Sequence, residues 1–192
     1  MSMNSPDRYP DAVDPGFSAP PRTIEDGEGA SISIRAYEGD TGTREALRAM
    51  YDAFDAEDRA QGIPPSRPSQ LRNWLDRILE PECLNVLAWD GDEVVGHATL
   101  VPENGVDSPH ELAIFVLQSH QGRGIGTALM QSVLGYGATQ GVDKVWLTVE
   151  RWNHAAVSLY ENIGFETTDA ESFELEMAIR LQSEGATTQA EP

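Results

Sequence analysis

The feature that most constrains the fold is a nearly apolar segment that runs into a glycine-rich turn. Residues 111–117 suit a buried central strand, and residues 121–126 (QGRGIG) follow after three residues. The spacing of Ile125, Leu129 and Val133 then predicts an amphipathic helix. A strand, a glycine turn and a helix point several backbone N–H groups at one spot, beside the positive end of the helix dipole. This order predicts an α/β domain with an anion site, although an ordinary tight connection would also contain glycines.

Two familiar phosphate-binding motifs do not fit this turn. A Walker loop requires a lysine directly after its last glycine, but Lys144 is the only lysine in the chain. The dinucleotide-binding fingerprint, Gly-x-Gly-x-x-Gly, needs a glycine where the chain has Thr127 or Leu129. The sequence therefore disfavours a nucleotide triphosphatase and a dinucleotide-dependent dehydrogenase.

The apolar periodicity of the remaining chain predicts one α/β or α+β domain over residues 31–182. Alternation predicts strands and helical spacing predicts helices, in the order strand, two helices, three strands, helix, strand, helix, strand. Residues 1–30 contain five of the twelve prolines and show no apolar period, and residues 183–192 are small and polar. Both ends are therefore expected to be disordered tails.

The chain is strongly acidic. Acidic residues outnumber basic residues by 32 to 13, which gives a formal charge of −19. Such a field repels nucleic acids and anionic membrane surfaces, so neither is expected as a partner. Lys144 is accompanied by twelve arginines. A carboxylate-rich surface with few lysines is typical of proteins that work in molar salt and predicts a halophile's cytoplasm; an ordinary acidic protein is the alternative.

Cysteine usage and hydropathy predict a cytoplasmic protein. Cys83 is the only cysteine, so a fold stapled by intramolecular disulfides is excluded. The longest apolar runs, such as residues 112–117, are far shorter than the roughly 20 residues that cross a bilayer. The N-terminus lacks a basic stretch followed by an apolar one, so no signal peptide is expected.

Two motifs in order resemble those of the GNAT superfamily of acyl-CoA-dependent N-acetyltransferases. The first is Gln121-x-x-Gly124-x-Gly126, directly after an apolar strand. The second is the segment 147–165 (LTVERWNHAAVSLYENIGF), which is similar to the family's second CoA-binding block. The resemblance extends over most of residues 31–180. It implies a single GNAT-like domain, with helices on both faces of a mixed sheet of about six to seven strands, and acetyl-CoA as co-substrate without a metal.

The resemblance also implies which residues bind CoA. In the family, the strand before the glycine turn offers backbone groups to the pantetheine arm, and the amides of the turn hold the pyrophosphate. The implied cofactor-binding residues are Ile114, Phe115, Val116, Gln121, Gly122, Arg123, Gly124, Ile125, Gly126, Thr127 and Asn153. Arg123 would add positive charge. The two strands that end near Leu117 and Glu150 would splay apart to admit the cofactor, with a bulge in the first strand.

The resemblance implies one catalytic residue, and strand geometry suggests a second. Tyr160 matches the family's usual general acid, which protonates the leaving thiolate. The family has no fixed base; Glu111 is the candidate because it begins the central strand, with His110 and Glu150 as alternatives. Adjacent strand residues face opposite ways, so His110 and Glu111 cannot both point at the acceptor.

A plainer structural role is open for several of these residues. Asn153 can be a helix N-cap, Tyr160 can pack in the core, and Arg123 can be solvated at the surface. The four histidines do not show the spacing of metal ligands, which predicts that no metal is bound.

The leading hypothesis is an N-acetyltransferase that moves acetyl from acetyl-CoA to a primary amine by direct attack in a ternary complex. The alternative is a catalytically idle acyl-CoA-binding sensor or interaction module, and Tyr160 favours the enzyme because an idle relative can lose its acid. A phosphate-binding switch unrelated to CoA would leave residues 153–165 unexplained. The resemblance places acceptor choice largely in the first two helices and their connection, residues 58–70. The sequence leaves open a protein N-terminus, a lysine, a polyamine or an antibiotic as acceptor, and leaves open a homodimer.

Overall fold

The computed structural model describes residues 9–11, 13–14, 16–55, 64–103, 108–170 and 173–182. These residues form nine strands, four α-helices and one 3₁₀-helix. In chain order the elements are β1 (Val13–Asp14), β2 (Arg22–Glu25), β3 (Ser31–Ala36), α1 (Thr41–Asp52), α2 (Pro68–Ile78), β4 (Leu84–Asp90), β5 (Glu93–Pro102), β6 (His110–Val116), the 3₁₀-helix (Gln118–His120), α3 (Ile125–Thr139), β7 (Lys144–Glu150), α4 (His154–Ile163), β8 (Glu166–Ala170) and β9 (Glu174–Leu181). In this part of the chain no helix is long and apolar enough to cross a membrane.

All nine strands belong to one mixed sheet. Its path runs β1-β9-β7-β6-β5-β4-β3-β2, and β8 also pairs with β9. The β6–β7 and β1–β9 pairs are parallel, and the others are antiparallel. The mixed α/β fold is confirmed, but the expected six to seven strands are too few for a sheet of nine. The additional strands were missed because β1 and β2 lie in the proline-rich N-terminus and β8 is mostly exposed, so they lack apolar alternation.

Helices cover both faces of the sheet and form two cores. α1 and α2 pack on one face around Leu47, Tyr51 and Leu75, whereas α3 and α4 pack on the other. Alternation along β6 places Phe115 with the first core and Leu112 with the second. The central strand therefore separates two environments, one on each face of the sheet.

The N-terminal segment is structured where it is described, which corrects the expectation of a disordered tail over residues 1–30. β1 pairs with β9 at one edge of the sheet, and β2 pairs with β3 at the other. Residues 16–30, here called the strap, connect these two edges across α3. Composition hides this because β2 pairs through its backbone, and the apolar residues that pack on the core, Phe17, Ile24 and Ala30, follow no regular period. Residues 1–8 and the expected C-terminal tail, 183–192, lie outside the described residues.

A glycine on α3 marks where the strap crosses the helix. A Cβ atom on Gly135 would lie 2.6 Å from the carbonyl oxygen of Phe17 and 2.7 Å from the nitrogen of Ala19. The backbone of residues 17–19 can approach α3 this closely only because residue 135 is a glycine and has no side chain. Nearby, the guanidinium of Arg22 donates to Ser132 Oγ at 3.4 Å. The strap thus packs directly on the outer side of α3.

A buried chain of hydrogen bonds ties α1 to β5 and β4. Tyr51 Oη lies 2.6 Å from His97 Nδ1, and His97 Nε2 lies 2.8 Å from Asn85 Oδ1. Asn85 Nδ2 donates to the carbonyl of Ile78 at 2.7 Å, so its Oδ1 accepts a hydrogen bond from the protonated Nε2 of His97. Tyr51 then donates to Nδ1, and the imidazole is neutral. Burial lowers the pKa of His97 to about 3.

The neutral His97 should make stability depend on pH. Its folded pKa lies below the ordinary value of 6.5, so its contribution is present above pH 6.5 and is lost as the pH falls. Because the unfolded state takes up a proton that the folded state does not, this one histidine should lower the free energy of unfolding by about 1.4 kcal/mol as the pH falls from 7.5 to 5.5. Urea unfolding of the wild type and of His97→Gln over this range measures the difference. Equal pH slopes in the two proteins would contradict the assignment.

Candidate functional site

The parallel strands β6 and β7 separate soon after they begin. Over the described residues of both strands, pairing is limited to His110 with Val145 and Glu111 with Trp146. Beyond this point the strands enclose a cleft of about 720 Å³. The cleft is lined by β6, the glycine turn, the start of α3, the end of β7, α4 and the segment after α1. The lining residues are Phe54, residues 111–116, Gln121, Gly122, Gly124, Gly126, Thr127, residues 148–150, Asn153, Ala155, Ala156, Leu159 and Tyr160. The predicted splay is confirmed.

The prediction of a bulge in β6 is wrong. The register between β5 and β6 runs without a shift from Pro102–His110 to Gly96–Val116. β6 therefore stays paired with β5 over its whole length. The cleft arises because β7 leaves β6, not because β6 is distorted.

The strand register decides which β6 backbone groups face the cleft. Leu117 N donates to Val95 O at 2.9 Å, and Glu103 N donates to Pro109 O at 3.0 Å. In an antiparallel ladder hydrogen-bonded pairs alternate, so the odd-numbered residues of β6 bond to β5. The N–H and C=O groups of Ile114 and Val116 consequently face the side that β7 has left. The backbone of Phe115 bonds to β5, which corrects its expected part in holding the pantetheine arm.

The glycine turn leads into an uncapped helix N-terminus. Gly122 and Gly124 adopt φ values of 71° and 84°, a region that favours glycine. The first bond within α3 runs from Ala128 N to Gly124 O at 3.2 Å. The N–H groups of Ile125, Gly126 and Thr127 therefore have no acceptor within the helix.

The start of α3 differs from the starts of α1 and α4. No side chain caps α3, whereas Asp40 caps α1 and Asn153 caps α4. The side chain of Ile125 is fully buried, so only its backbone is available to a ligand. Together with the helix dipole, the uncapped N–H groups form a site suited to an anionic group.

Two side chains of the turn contact the surrounding structure. Gln121 Nε2 donates to the carbonyl of Val116 at 3.1 Å, which ties the turn to the end of β6. Arg123 points to the strap: its Nε donates to Asp26 Oδ2 at 2.7 Å, and its Nη1 lies 3.3 Å from Glu28 Oε2. Arg123 is absent from the described cleft lining, so the structure does not bring its charge to the cleft as expected.

Tyr160 and Asn153 reach the cleft from α4. The Tyr160 ring packs against Phe165, with ring centroids 6.0 Å apart, and the residue also lines the cleft. Burial raises its pKa to about 12. Asn153 Oδ1 accepts from Ala156 N at 3.2 Å, so Asn153 is the N-cap of α4 and also lies at the cleft.

The two carboxylates considered as bases both lie at the cleft. Glu111 is exposed, and it lines the cleft together with Glu150. His110 is buried, with Nδ1 2.9 Å from the carbonyl of Ser108, and this burial lowers its pKa. The structure thus confirms that His110 and Glu111 face opposite sides of the sheet.

An aromatic cluster beside the cleft was missed by sequence analysis. Tyr51, Trp74 and Phe115 pack edge to face, with centroids 5.2–5.7 Å apart. Phe54 lies 6.0 Å from Phe115, and both line the cleft. The available signal was the concentration of aromatic residues in and directly after α1 and in α2, a pattern that is also typical of an ordinary core.

The connection 58–70, expected to choose the acceptor, lies within the described residues only from Pro64 onward.

The only cysteine lies away from the cleft. Cys83 is buried, and its Sγ donates to the carbonyl of Arg77 at 3.6 Å. Burial first, and then the carboxylates of Glu82 and Glu80, raise the pKa of this thiol to about 11. Among the described residues no three metal-ligating side chains come together.

Comparisons with known proteins agree on one family. The family model described as acetyltransferase (GNAT) family matches residues 47–165. A mycothiol acetyltransferase of Geodermatophilus obscurus is 34% identical over 142 residues, which cover 70% of this chain and 44% of that protein. The chain thus spans less than half the length of this relative.

Solved structures show the same fold. The GNAT domain of S. lividans PAT superposes with a TM-score of 0.71 at 18% identity, covering 83% of this chain and 96% of that one. YncA of Salmonella typhimurium, a putative acetyltransferase solved with its cofactor acetyl-CoA, gives a TM-score of 0.62 at 18% identity, covering 82% and 98%.

Proposed function

Because the chain belongs to the acetyltransferase (GNAT) family, we propose that it transfers an acetyl group from acetyl-CoA to a primary amine by direct attack in a ternary complex. The observation that carries this proposal is the cleft between β6 and β7. It brings together strand backbone groups that β5 does not use, an uncapped helix N-terminus and the partly buried Tyr160.

The residues at the cleft fit the parts of acetyl-CoA. The pantetheine arm contains amides, which match the N–H and C=O groups that Ile114 presents in place of a neighbouring strand. The Val116 carbonyl already accepts from Gln121, which leaves the Val116 N–H for the thioester oxygen. The backbone N–H groups of residues 122–127 suit the pyrophosphate. Asn153 lies at the same cleft and is proposed to contact the arm while it caps α4.

Tyr160 is proposed as the general acid. At a pKa of about 12 the phenol is protonated at neutral pH. A thiol in water has a pKa of about 8.5, but a thiolate formed in a poorly hydrated cleft is disfavoured and has a higher one. The phenol and the leaving sulfur are therefore close enough in pKa for a proton to pass.

The other residues complete the proton balance. When bound, acetyl-CoA supplies an activated thioester. The backbone N–H of Val116 stabilises the carbonyl oxygen as it gains charge. Glu111 takes the proton that the amine loses, directly or through one water, with Glu150 as the alternative. An acyl-cysteine route is disfavoured because Cys83 is buried and away from the cleft.

An amine panel tests the activity. It should contain a polyamine, a lysine peptide, a peptide with a free N-terminus, an aminoglycoside and an amine precursor of mycothiol. The mycothiol precursor is included because the relative reported above is named a mycothiol acetyltransferase. We expect at least one amine to accelerate CoA release above the rate without acceptor. Tight binding of acetyl-CoA without release to any amine would favour the idle sensor instead.

We propose that the protein works in the cytoplasm of a halophile. Like-charged residues that face each other across paired strands support this proposal, because their repulsion should be strongest at low salt. Glu150 lies directly opposite Glu174, and Asp169 lies opposite Glu176. Like charges in such pairs are destabilising. The screening length falls from about 30 Å at 0.01 M salt to about 3 Å at 1 M, so repulsion across this acidic surface should fade in molar KCl.

Melting measurements test this proposal. The melting temperature should rise between dilute buffer and 2 M KCl, because the formal charge is −19 and self-repulsion is then screened. Asp169→Asn should raise the melting temperature in dilute buffer and reduce its dependence on salt. A melting temperature that stays flat or falls with KCl would contradict the halophilic assignment and leave the acetyltransferase proposal untouched.

A further inference from the structure

The strap is bonded to the glycine turn through Arg123, which is not among the described residues that line the cleft. Asp26 on the strap is buried, with 6% of its surface exposed. Its Oδ2 accepts from Arg123 Nε at 2.7 Å, and Arg123 Nη2 also pairs with it. In return, Gly27 N donates to the carbonyl of Arg123 at 2.9 Å. Both the side chain and the backbone of Arg123 are therefore bound to the strap.

Asp26 is itself held in place by backbone groups. Its Oδ1 accepts from Glu28 N and from Ala30 N, each at 2.9 Å. Burial acts to raise the pKa of Asp26, but these two N–H groups and the Arg123 guanidinium outweigh it, so the pKa lies below its ordinary value. The carboxylate is thus ionised at neutral pH and rigidly placed before any ligand binds.

The turn needs such an anchor. Arg123 stands between Gly122 and Gly124, and a Cβ atom on either glycine would meet nothing within 4 Å. Glycine has no side chain to restrict its backbone and samples many conformations. Gln121 ties one end of the turn to β6, and Arg123 ties its middle to the strap. Without the second anchor, ligand binding would have to order the turn and would lose affinity.

We propose that the Asp26–Arg123 pair is a positioning device that holds the glycine turn ready for the pyrophosphate, which makes the strap a working part of the CoA site. This inference rests on the proposed function. It assigns Arg123 to the strap rather than to the ligand, and it assigns a role to a segment that lies more than ninety positions before the turn, as the Arg123–Asp26 separation of 97 shows.

Binding measurements on Asp26→Asn test the pair. The Kd for acetyl-CoA should rise about tenfold, with kcat at saturating acetyl-CoA unchanged. S-Acetyl-pantetheine, which lacks the pyrophosphate, should show the same KM in variant and wild type. Glu28→Gln is the matched control: Glu28 contacts the same guanidinium but is exposed, with 69% of its side chain accessible, and exposed pairs contribute little.

The outcomes separate this inference from the proposed function. A folded wild type that does not bind acetyl-CoA removes the proposed function. If the wild type binds, unchanged binding by Asp26→Asn overturns the positioning role. Tighter binding also overturns it, because it means that a released Arg123 contacts the ligand. Equal losses for acetyl-CoA and S-acetyl-pantetheine also overturn it, since they indicate general loosening.

A second variant serves if Asp26→Asn does not fold. Arg123→Gln leaves Asp26 with its backbone donors and should raise the Kd for acetyl-CoA by a similar factor. The rise should persist in 1 M KCl, because a lost conformational anchor is not screened. A rise that disappears in 1 M KCl would show that Arg123 acts as a direct charge.

Discussion

Replacing Tyr160 by phenylalanine should lower kcat by about 10²–10⁴-fold, the loss typical of a missing general acid. The change removes one hydroxyl and leaves the ring against Phe165, so the Kd for acetyl-CoA should not change. Steady-state kinetics with the best amine of the panel and calorimetry with acetyl-CoA measure the two effects. The combination distinguishes a group that acts on the reacting atoms from one that only packs.

A second tyrosine provides the control for Tyr160→Phe. Tyr136 lies on α3, is partly buried in the same core and is absent from the described cleft lining. Tyr136→Phe should therefore leave kcat unchanged. If Tyr160→Phe also kept full kcat with the true acceptor, water or another group would be the proton donor.

Replacing Gly126 by leucine should raise the Kd for acetyl-CoA by about 100-fold. A Cβ atom at this position would lie 3.8 Å from Leu159 Cδ2 and 3.9 Å from Val116 Cγ2. The added side chain therefore enters the space between β6 and α4 that the ligand needs. Gly124, whose φ is 84°, is a poorer site for this test because any side chain there also strains the backbone.

A glycine outside the cleft controls for the added bulk. Gly42→Leu places the same side chain on α1, where a Cβ atom meets only Asp40 Oδ1 at 3.4 Å. It should leave the Kd for acetyl-CoA unchanged. Wild-type affinity in folded Gly126→Leu would show that the ligand does not occupy this part of the cleft.

Local patterns in the sequence predicted the parts of the site that depend on a few neighbouring residues. The turn at Gly124 and the N-cap at Asn153 rest on short-range rules of backbone conformation. The central strand was also predicted from its apolar run, although most of β6 is only partly buried. The opposite placement of His110 and Glu111 follows from strand alternation alone. These features could be placed before any tertiary contact was known.

Other features depend on pairing across long separations and could not be read in this way. The partner of Arg123 is Asp26, 97 positions away, on a segment whose prolines and charges suggest disorder. The exclusion of the Phe115 backbone from the cleft depends on which residues of β6 bond to β5. Whether the odd- or the even-numbered residues of β6 bond to β5 is set by the register of the whole ladder and not by the composition of either strand.

Calorimetric titration of the wild type and of Gly126→Leu with acetyl-CoA in matched molar KCl tests the central claim most directly. We expect one acetyl-CoA bound per wild-type chain, weak or no binding to the variant, and a wild-type fold stabilised by about 2.7 kcal/mol at a ligand concentration 100 times the Kd. A folded wild-type protein that released no heat and gained no thermal stability would contradict the assignment of this cleft to acetyl-CoA.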